Sequence, residues 1–78
     1  MKIVVYSTST CPKCKILKTK LANKKINFIE ELLDDTTDER VKEIITRLNI
    51  MSVPVLEVDG KIIDSFAEAN AFINNLEG

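Results

Sequence analysis

The pattern of hydrophobic and polar residues first predicts a strand followed by a helix. Residues 3–6, Ile-Val-Val-Tyr, are almost wholly apolar and rich in β-branched side chains, which is typical of a strand buried at the centre of a sheet. Cys14, Leu17 and Leu21 follow at spacings of three and four and so share one face of a helix. Thr10 is a candidate cap for this helix. The cysteines therefore lie where the first strand passes into the first helix.

The first helix ends in the polar residues 23–25, and a second strand is predicted over residues 27–33. Its apolar and polar residues alternate irregularly, which favours a position toward an edge of the sheet. Two strands joined by a helix form a parallel pair with a right-handed crossover.

Ile16 lies off the apolar stripe of the first helix, and we expect it to contact another helix.

The clearest helical pattern lies between residues 36 and 48. Thr36 and Glu39 have the spacing of a capping box, which satisfies backbone N–H groups at the start of a helix. Four apolar residues then fall on one helical face: Val41, Ile44, Ile45 and Leu48. A helix over residues 39–48 is therefore predicted.

A hairpin and a last helix complete the pattern. The Asp-Gly pair at 59–60 separates the apolar runs 53–58 and 61–63, and this dipeptide is a strong signal for a two-residue hairpin turn. Ser65 and Glu68 again have capping-box spacing, ahead of an apolar face formed by Ala69, Phe72, Ile73 and Leu76. The order βαβαββα predicts an α/β fold in which helices pack around a small mixed sheet.

Length and composition limit the kind of protein. The 78 residues fit one domain, residues 1–78, and 45% hydrophobic with 29% charged residues is typical of a folded chain. The first apolar run is too short for a signal peptide or a membrane span, so we expect a cytoplasmic protein with no membrane partner. Because cytosolic thiols are kept reduced, the two cysteines indicate catalysis or redox sensing rather than a structural disulfide.

Charge is nearly balanced overall but uneven along the chain. The net charge is −1, yet seven lysines precede Ile26 with no acidic residue among them. A cationic segment of this kind can bind nucleic acid, but aromatic residues for base stacking are missing around the lysines and the pI is about 5.4. We therefore expect a solvated, lysine-rich helix face and no nucleic-acid partner.

Cys11 and Cys14 have the spacing of a reversible redox pair. Only a thiolate attacks a disulfide, and a helix N-terminus, helped by Lys13 and Lys15, would stabilise negative charge on the Cys11 sulfur. Cys14, one turn further along, is the expected buried partner that resolves a mixed disulfide formed at Cys11. Pro12 stiffens the turn and supplies no N–H. Lys13 is either a simple solvated lysine or a residue that tunes redox potential and partner choice.

Metal binding is an alternative use of the same cysteines. A structural zinc site needs about four ligands, and the chain has no histidine and no third cysteine. A Cu(I) site with two thiolates is more compatible with one C-x-x-C pair. Small copper chaperones, however, have the order βαββαβ and a methionine where this chain has Ser9. A soft-metal carrier is the alternative from another functional class, and no resident metal is expected.

The tripeptide Ser52-Val53-Pro54 begins the hairpin with a proline. Proline cannot donate to a strand ladder, so it suits an edge strand, a bulge or a cis peptide bond. In the simplest interpretation Pro54 only marks the start of an edge strand. Beside a reactive thiol, it would leave the backbone groups of Val53 free to pair with an extended peptide. Val53 and Pro54 are therefore candidate substrate-binding residues.

Residues 4–14, VVYSTSTCPKC, and the SVP tripeptide, together with the order of elements, resemble the glutaredoxin and NrdH-redoxin branch of the thioredoxin-fold family over essentially the whole chain. The resemblance implies a thioredoxin-like fold with a four-stranded mixed sheet and three helices. It implies that Cys11 is the nucleophile, that Cys14 is the resolving cysteine and that Pro54 follows a cis bond. The implied activity is thiol-disulfide oxidoreduction on disulfide-containing proteins, including ribonucleotide reductase.

Two departures from the family pattern leave the electron donor open. Glutaredoxins that bind glutathione commonly carry a lysine where this chain has Thr8, and a Gly-Gly pair where it has residues 63–65. NrdH-redoxins, which draw electrons from thioredoxin reductase, carry a W-S-G-F-type stretch there, of which only Phe66 is matched.

Ser65 and Phe66 are nevertheless candidate substrate-binding residues together with Pro12 and Lys13. The last helix begins at Ser65, and its N-terminus would point toward the cysteines and could hold a carboxylate of glutathione. A cap for Ser65 and a core position for Phe66 are the simpler interpretations. We expect no tightly bound cofactor, glutathione as a co-substrate or thioredoxin reductase as the electron source, and a monomer.

Overall fold

The predicted order of elements is confirmed. A computed structural model describes residues 1–76, so the last two residues of the predicted domain, 77–78, lie outside the described part. No helix within residues 1–76 has the length and apolar character needed to cross a bilayer. The described strands and helices are β1 (Ile3–Ser7), α1 (Pro12–Asn23), β2 (Ile29–Leu32), α2 (Glu39–Leu48), β3 (Val55–Val58), β4 (Lys61–Ile63) and α3 (Phe66–Asn74).

The strands form one mixed sheet in the order β2-β1-β3-β4. β1 runs parallel to β2, with Val4 opposite Ile29, and antiparallel to β3, with Val5 opposite Leu56; β3 and β4 form an antiparallel hairpin. All five residues of β1 are buried, and β2 lies at an edge, as the sequence predicted. Because β1 is paired on both sides, its C-terminal end is a fixed platform for the cysteine loop that follows.

Apolar side chains fill the space on both faces of the sheet. α1 and α3 cover one face, where the buried cluster consists of Ile3, Val5, Leu17, Leu21, Leu56, Ile63, Ala69 and Ile73. α2 covers the other face, where the buried cluster consists of Val4, Tyr6, Leu33, Val41, Ile44 and Val55. Successive residues of a strand point to opposite faces, so β1 supplies both clusters alternately. A fully buried leucine such as Leu17 contributes about 2 kcal/mol.

The predicted caps of the last two helices have different outcomes. Ser65 caps α3 as predicted, because its hydroxyl accepts a hydrogen bond from the Glu68 N–H at 3.4 Å. The prediction that Thr36 caps α2 is wrong. Asp38 lies immediately before the first helical residue, and its carboxylate accepts from the Arg40 N–H at 2.8 Å. A side chain in that position reaches the free N–H groups of the first turn, which Thr36 cannot.

Two further predictions need correction. The second strand is Ile29–Leu32 rather than residues 27–33, because Phe28 packs against the α1 and α3 cluster before the strand begins. Ile16, which we expected to contact another helix, is 45% exposed, in a depression lined by other residues of α1. It lies two residues after Cys14, about 200° around α1, and so faces away from the buried stripe.

The hairpin turn forms where the sequence predicted it. Asp59 and Gly60 both have positive φ, 49° and 89°. A two-residue turn with this handedness matches the twist of the flanking strands, and glycine adopts it without strain.

Candidate active site

Cys11 lies between the end of β1 and the first turn of α1. Its backbone is extended, with φ −94° and ψ 108°, and its Sγ accepts a hydrogen bond from the Cys14 N–H at 3.2 Å. Cys11 is therefore the N-cap of α1, and the prediction that Thr10 caps this helix is wrong. Thr10 lies one residue too early, since the cap stands directly before Pro12, the first helical residue. The Cys11 sulfur thus accepts a hydrogen bond from an N–H group at the N-terminus of α1, which is the positive end of the helix dipole.

The two cysteines differ in exposure. Cys14 is fully buried, Cys11 is partly exposed, and both are free thiols. Burial, followed by the hydrogen bond with Cys11, raises the pKa of the Cys14 thiol to about 12. At neutral pH Cys14 is therefore a protonated thiol beneath the surface, whereas Cys11 is the sulfur that an incoming molecule can reach.

The loop before β3 lies against Cys11. The Val53–Pro54 peptide bond is cis, as the resemblance implied, and β3 begins only at Val55 rather than at Val53. The Cys11 thiol contacts the carbonyl oxygen of Val53, with Sγ and O 4.0 Å apart. Pro54 is buried and Val53 is partly exposed. The structure thus brings together Cys11, Cys14, Val53 and Pro54 from two segments that are about forty residues apart in sequence.

The N-terminus of α3 borders the same site through Phe66. The Lys13 ammonium lies over the Phe66 ring, 5.5 Å from its centroid, at a distance suited to a cation–π contact. Pro12 and Lys13 are exposed, whereas Ser65 and Phe66 are partly buried. The Ser65 hydroxyl is engaged as the cap of α3. Lys13 and Phe66 are therefore neighbours at the rim of the site.

Asp34, which is not among the predicted site residues, anchors the loop between β1 and Cys11. Its carboxylate oxygens accept hydrogen bonds from the Ser9 N–H at 3.0 and 3.2 Å, and its Oδ1 lies 3.1 Å from the Ser9 hydroxyl. A signal for this contact was present, because β1 and β2 are parallel and the residues after their C-terminal ends meet at one edge. Asp34 is a positioning residue for the loop that carries Cys11.

The last two residues of β1 point to opposite faces of the sheet. The Tyr6 hydroxyl donates to the Glu57 carboxylate at 2.8 Å on the α2 face, and burial followed by this hydrogen bond raises the pKa of Tyr6 to about 12. Ser7 is fully buried, and its hydroxyl has no hydrogen-bond partner among residues 1–76. Tyr6, although part of the sequence motif, therefore points to the face of the sheet opposite α1.

The donor set for a metal is small. Within residues 1–76, no three side chains of the Cys, His, Asp and Glu types lie close enough together to bind one ion. A soft metal at this site would have the two cysteine sulfurs as its protein ligands.

Similarity to known proteins covers most of the chain. The model of the glutaredoxin family matches residues 3–63. An uncharacterised glutaredoxin-like 8.6 kDa protein in the rubredoxin operon of Clostridium pasteurianum is 40% identical over 67 residues, which covers 86% of this chain and 88% of the relative.

Solved structures share the fold. Glutaredoxin from Archaeoglobus fulgidus is similar with a TM-score of 0.72 and 25% identity, over 94% of this chain and 86% of its own. NrdH-redoxin from Escherichia coli is similar with a TM-score of 0.75 and 20% identity, over 100% of this chain and 97% of its own. These similarities confirm the thioredoxin-like fold predicted from the sequence. Given the family match, the relative and the cysteine geometry, the chain belongs to the glutaredoxin family.

Proposed function

We propose that the protein is a dithiol-disulfide oxidoreductase that reduces protein disulfides or glutathione mixed disulfides. The glutaredoxin family consists of thiol-disulfide oxidoreductases, which makes this class of reaction the starting point. The observation that carries the proposal is the unequal cysteine pair: Cys11 is accessible and accepts an N–H at a helix start, while Cys14 is buried one turn further along. Attack requires an accessible thiolate, and resolution requires a second thiol within reach.

The reaction has two exchange steps. The Cys11 thiolate attacks one sulfur of the substrate disulfide, a Cys11–substrate disulfide forms, and the other substrate sulfur leaves as a thiolate that takes up a proton. The Cys14 thiolate then attacks Cys11 Sγ, so that the second substrate thiolate leaves. The substrate gains two electrons and two protons, and the protein becomes the Cys11–Cys14 disulfide. Two further thiols or a reductase restore the dithiol.

The structure supports a fixed order for these steps. Cys14 does not compete for substrate, because its pKa of about 12 keeps it protonated at neutral pH. Once Cys11 is in a mixed disulfide, its sulfur is no longer a charged neighbour that opposes ionisation of Cys14. The causes that raise the pKa of Cys14 are then reduced to burial alone, so formation of the mixed disulfide favours the resolving thiolate.

Substrate binding is proposed at the loop before β3 and at the start of α3. Since Pro54 supplies no N–H, an extended substrate segment would pair with the backbone of Val53, whose carbonyl lies beside the Cys11 sulfur. Pro12 and Lys13 would contact the substrate beside the cysteine. Near Phe66, the capped start of α3 is the proposed position for a carboxylate of glutathione.

The partner that returns electrons is proposed to be either glutathione or a thioredoxin reductase. Ribonucleotide reductase is one candidate among disulfide-containing substrate proteins, and the cytoplasm is the proposed compartment. Turnover of a small disulfide with glutathione and glutathione reductase, compared with turnover by thioredoxin reductase, distinguishes the two sources.

Cysteine variants test the function itself. Cys11→Ser should abolish reduction of bis(2-hydroxyethyl) disulfide, whereas Cys14→Ser should accumulate a mixed disulfide that mass spectrometry detects. If Cys14 rather than Cys11 is alkylated first at neutral pH, the assignment of Cys11 as the nucleophile is contradicted. Soft-metal carriage predicts instead that the protein binds Cu(I) through both cysteines and fails to consume disulfides. Thiol counting before and after exposure to each reagent separates the two functions.

A further inference from the structure

We propose that the outer face of α1 beside Cys11 binds an acidic segment of a partner protein that carries an apolar side chain. The proposal rests on the redox function above and specifies the chemistry of the partners. The surface is named here the α1 patch and consists of Pro12, Lys13, Lys15, Ile16 and Thr19.

The charge at the start of α1 departs from the pattern of the other helices. The first turn of α1 has no acidic residue and contains Lys13, whereas α2 and α3 have Glu39 and Glu68 in their first turns. A lysine at that end is unfavourable because a helix N-terminus carries partial positive charge. Such a departure is expected where function competes with stability. The lysine charges near Cys11 therefore require an explanation other than stability of the helix.

These charges also have no counter-ion within the described chain. The lysines farther along α1 are engaged by neighbouring elements: Lys18 by Glu30, and Lys20 by Asn70 and Asn74. Lys13 and Lys15 are exposed, and neither forms an ion pair with a carboxylate of residues 1–76. Lys13 does contact the Phe66 ring, but a cation–π contact supplies no negative counter-charge. Both positive charges are thus available to a carboxylate of another molecule.

An apolar depression accompanies the two charges. Ile16 is 45% exposed and lies in a shallow depression of about 440 Å³ that Pro12, Lys15, Thr19 and Lys20 complete. The residues recur every three or four positions, so they form one face of α1. Ile16 follows Cys11 by five residues, about 7 Å along the helix axis. A partner segment that runs from Cys11 along α1 would therefore place an apolar side chain over this depression.

The complementary partner has acidic side chains for Lys13 and Lys15 and an apolar side chain for Ile16. Each exposed ion pair is worth about a twofold change in rate or affinity, so two pairs give about fourfold. Burial of a leucine side chain against Ile16 adds to this through the apolar area removed from water.

Peptide mixed disulfides with thionitrobenzoate test the proposal directly. Four peptides of equal length each carry one cysteine and differ in the two kinds of residue that flank it. The flanking residues are glutamate and leucine in the first peptide, serine and leucine in the second, lysine and leucine in the third, and glutamate and serine in the fourth. Release of thionitrobenzoate gives the rate of attack by Cys11. We expect the Glu-Leu peptide to react about fourfold faster than the Ser-Leu peptide at low salt, and the Lys-Leu peptide, which the lysines repel, to react more slowly than both. Both differences should decrease as salt screens the charges. We also expect Glu-Leu to react faster than Glu-Ser.

Variants of the protein test whether these rate ratios arise from the α1 patch. Lys13→Gln/Lys15→Gln should bring the Glu-Leu to Lys-Leu ratio close to one. Lys25→Gln/Lys61→Gln removes the same two charges from exposed residues away from Cys11 and should not alter the ratio. Ile16→Ser should remove the advantage of Glu-Leu over Glu-Ser, and Ile29→Ser, a residue of matched exposure on β2, should retain it. Because every readout is a ratio of two peptides, a general change in Cys11 reactivity cancels.

The outcomes separate this proposal from the redox function. Reaction of all four peptides at equal rates in the wild-type protein overturns the α1 patch and leaves the redox function intact. A charge preference that persists in the double lysine variant also overturns it. No reaction with any peptide overturns the redox function and the α1 patch together.

Discussion

Cys14 is the residue whose ionisation links the structure most strongly to pH. Its pKa is raised from 9.0 to about 12, first by burial and then by the hydrogen bond with Cys11. In Cys11→Ser the serine hydroxyl can still cap α1, while the charge of the neighbouring sulfur is removed. Because burial is the larger cause, we expect the pKa of Cys14 in this variant to remain above 9.0.

The raised pKa has a definite effect on stability. The unfolded chain ionises first, so the stabilisation is fully present below the unfolded pKa and is lost as pH rises through the folded one. The difference between 9.0 and about 12 corresponds to about 4 kcal/mol in full. About 2 kcal/mol of this is lost between about pH 8 and about pH 10.5.

Urea denaturation at both pH values measures this loss. Cys11→Ser/Cys14→Ala is the matched control, because it lacks the buried thiol but retains Tyr6, whose pKa is also about 12. We expect the free energy of unfolding of Cys11→Ser to decrease more than that of the control, by at most about 2 kcal/mol, because the part of the raised pKa that Cys11 causes is absent from both variants. Thiolate absorbance gives the pKa of Cys14 independently. The reasoning is refuted if both variants lose equal stability, or if the thiolate forms with a pKa at or below 9.0.

Two other contacts have measurable effects. Tyr6→Phe removes the donor to Glu57 and should lower the free energy of unfolding by about 1 kcal/mol in urea denaturation, whereas an unchanged value would contradict a stabilising hydrogen bond. Asp34→Ala should slow alkylation of Cys11 about two- to threefold because the loop at Ser9 loses its anchor. Asp34→Asn keeps an acceptor and should recover most of the rate, so equal rates in the alanine variant and the wild type would exclude the positioning role.

The elements with local signals could be predicted from the sequence. The Asp59-Gly60 turn needs two residues of positive φ, and the sequence places there the pair that tolerates them. The face of α2 and the stripe of α1 follow from spacing alone. The parallel pairing of β1 with β2 follows from the helix between them, and the antiparallel pairing of β3 with β4 follows from the short hairpin. The cysteine pair could be placed at a strand-to-helix junction for the same reason.

Contacts between distant segments could not be predicted in the same way. The bond between Asp34 and Ser9 depends on the register in which Ser7 lies opposite Leu32. Periodicity does not determine that register. Nor does it show which face of a helix remains uncovered, and the exposure of Ile16 could therefore not be predicted.

The two edges of the sheet limit how other chains can associate with this protein. β2 carries Glu30 and Glu31 in a strand of four residues, and β4 has three residues and begins with Lys61. Short and charged edge strands discourage unrelated polypeptides from extending a sheet, which is a route to aggregation. Val53, by contrast, lies outside the strands and beside Cys11. The strand-like pairing proposed for Val53 would therefore take place outside both edges of the sheet, beside the Cys11 sulfur.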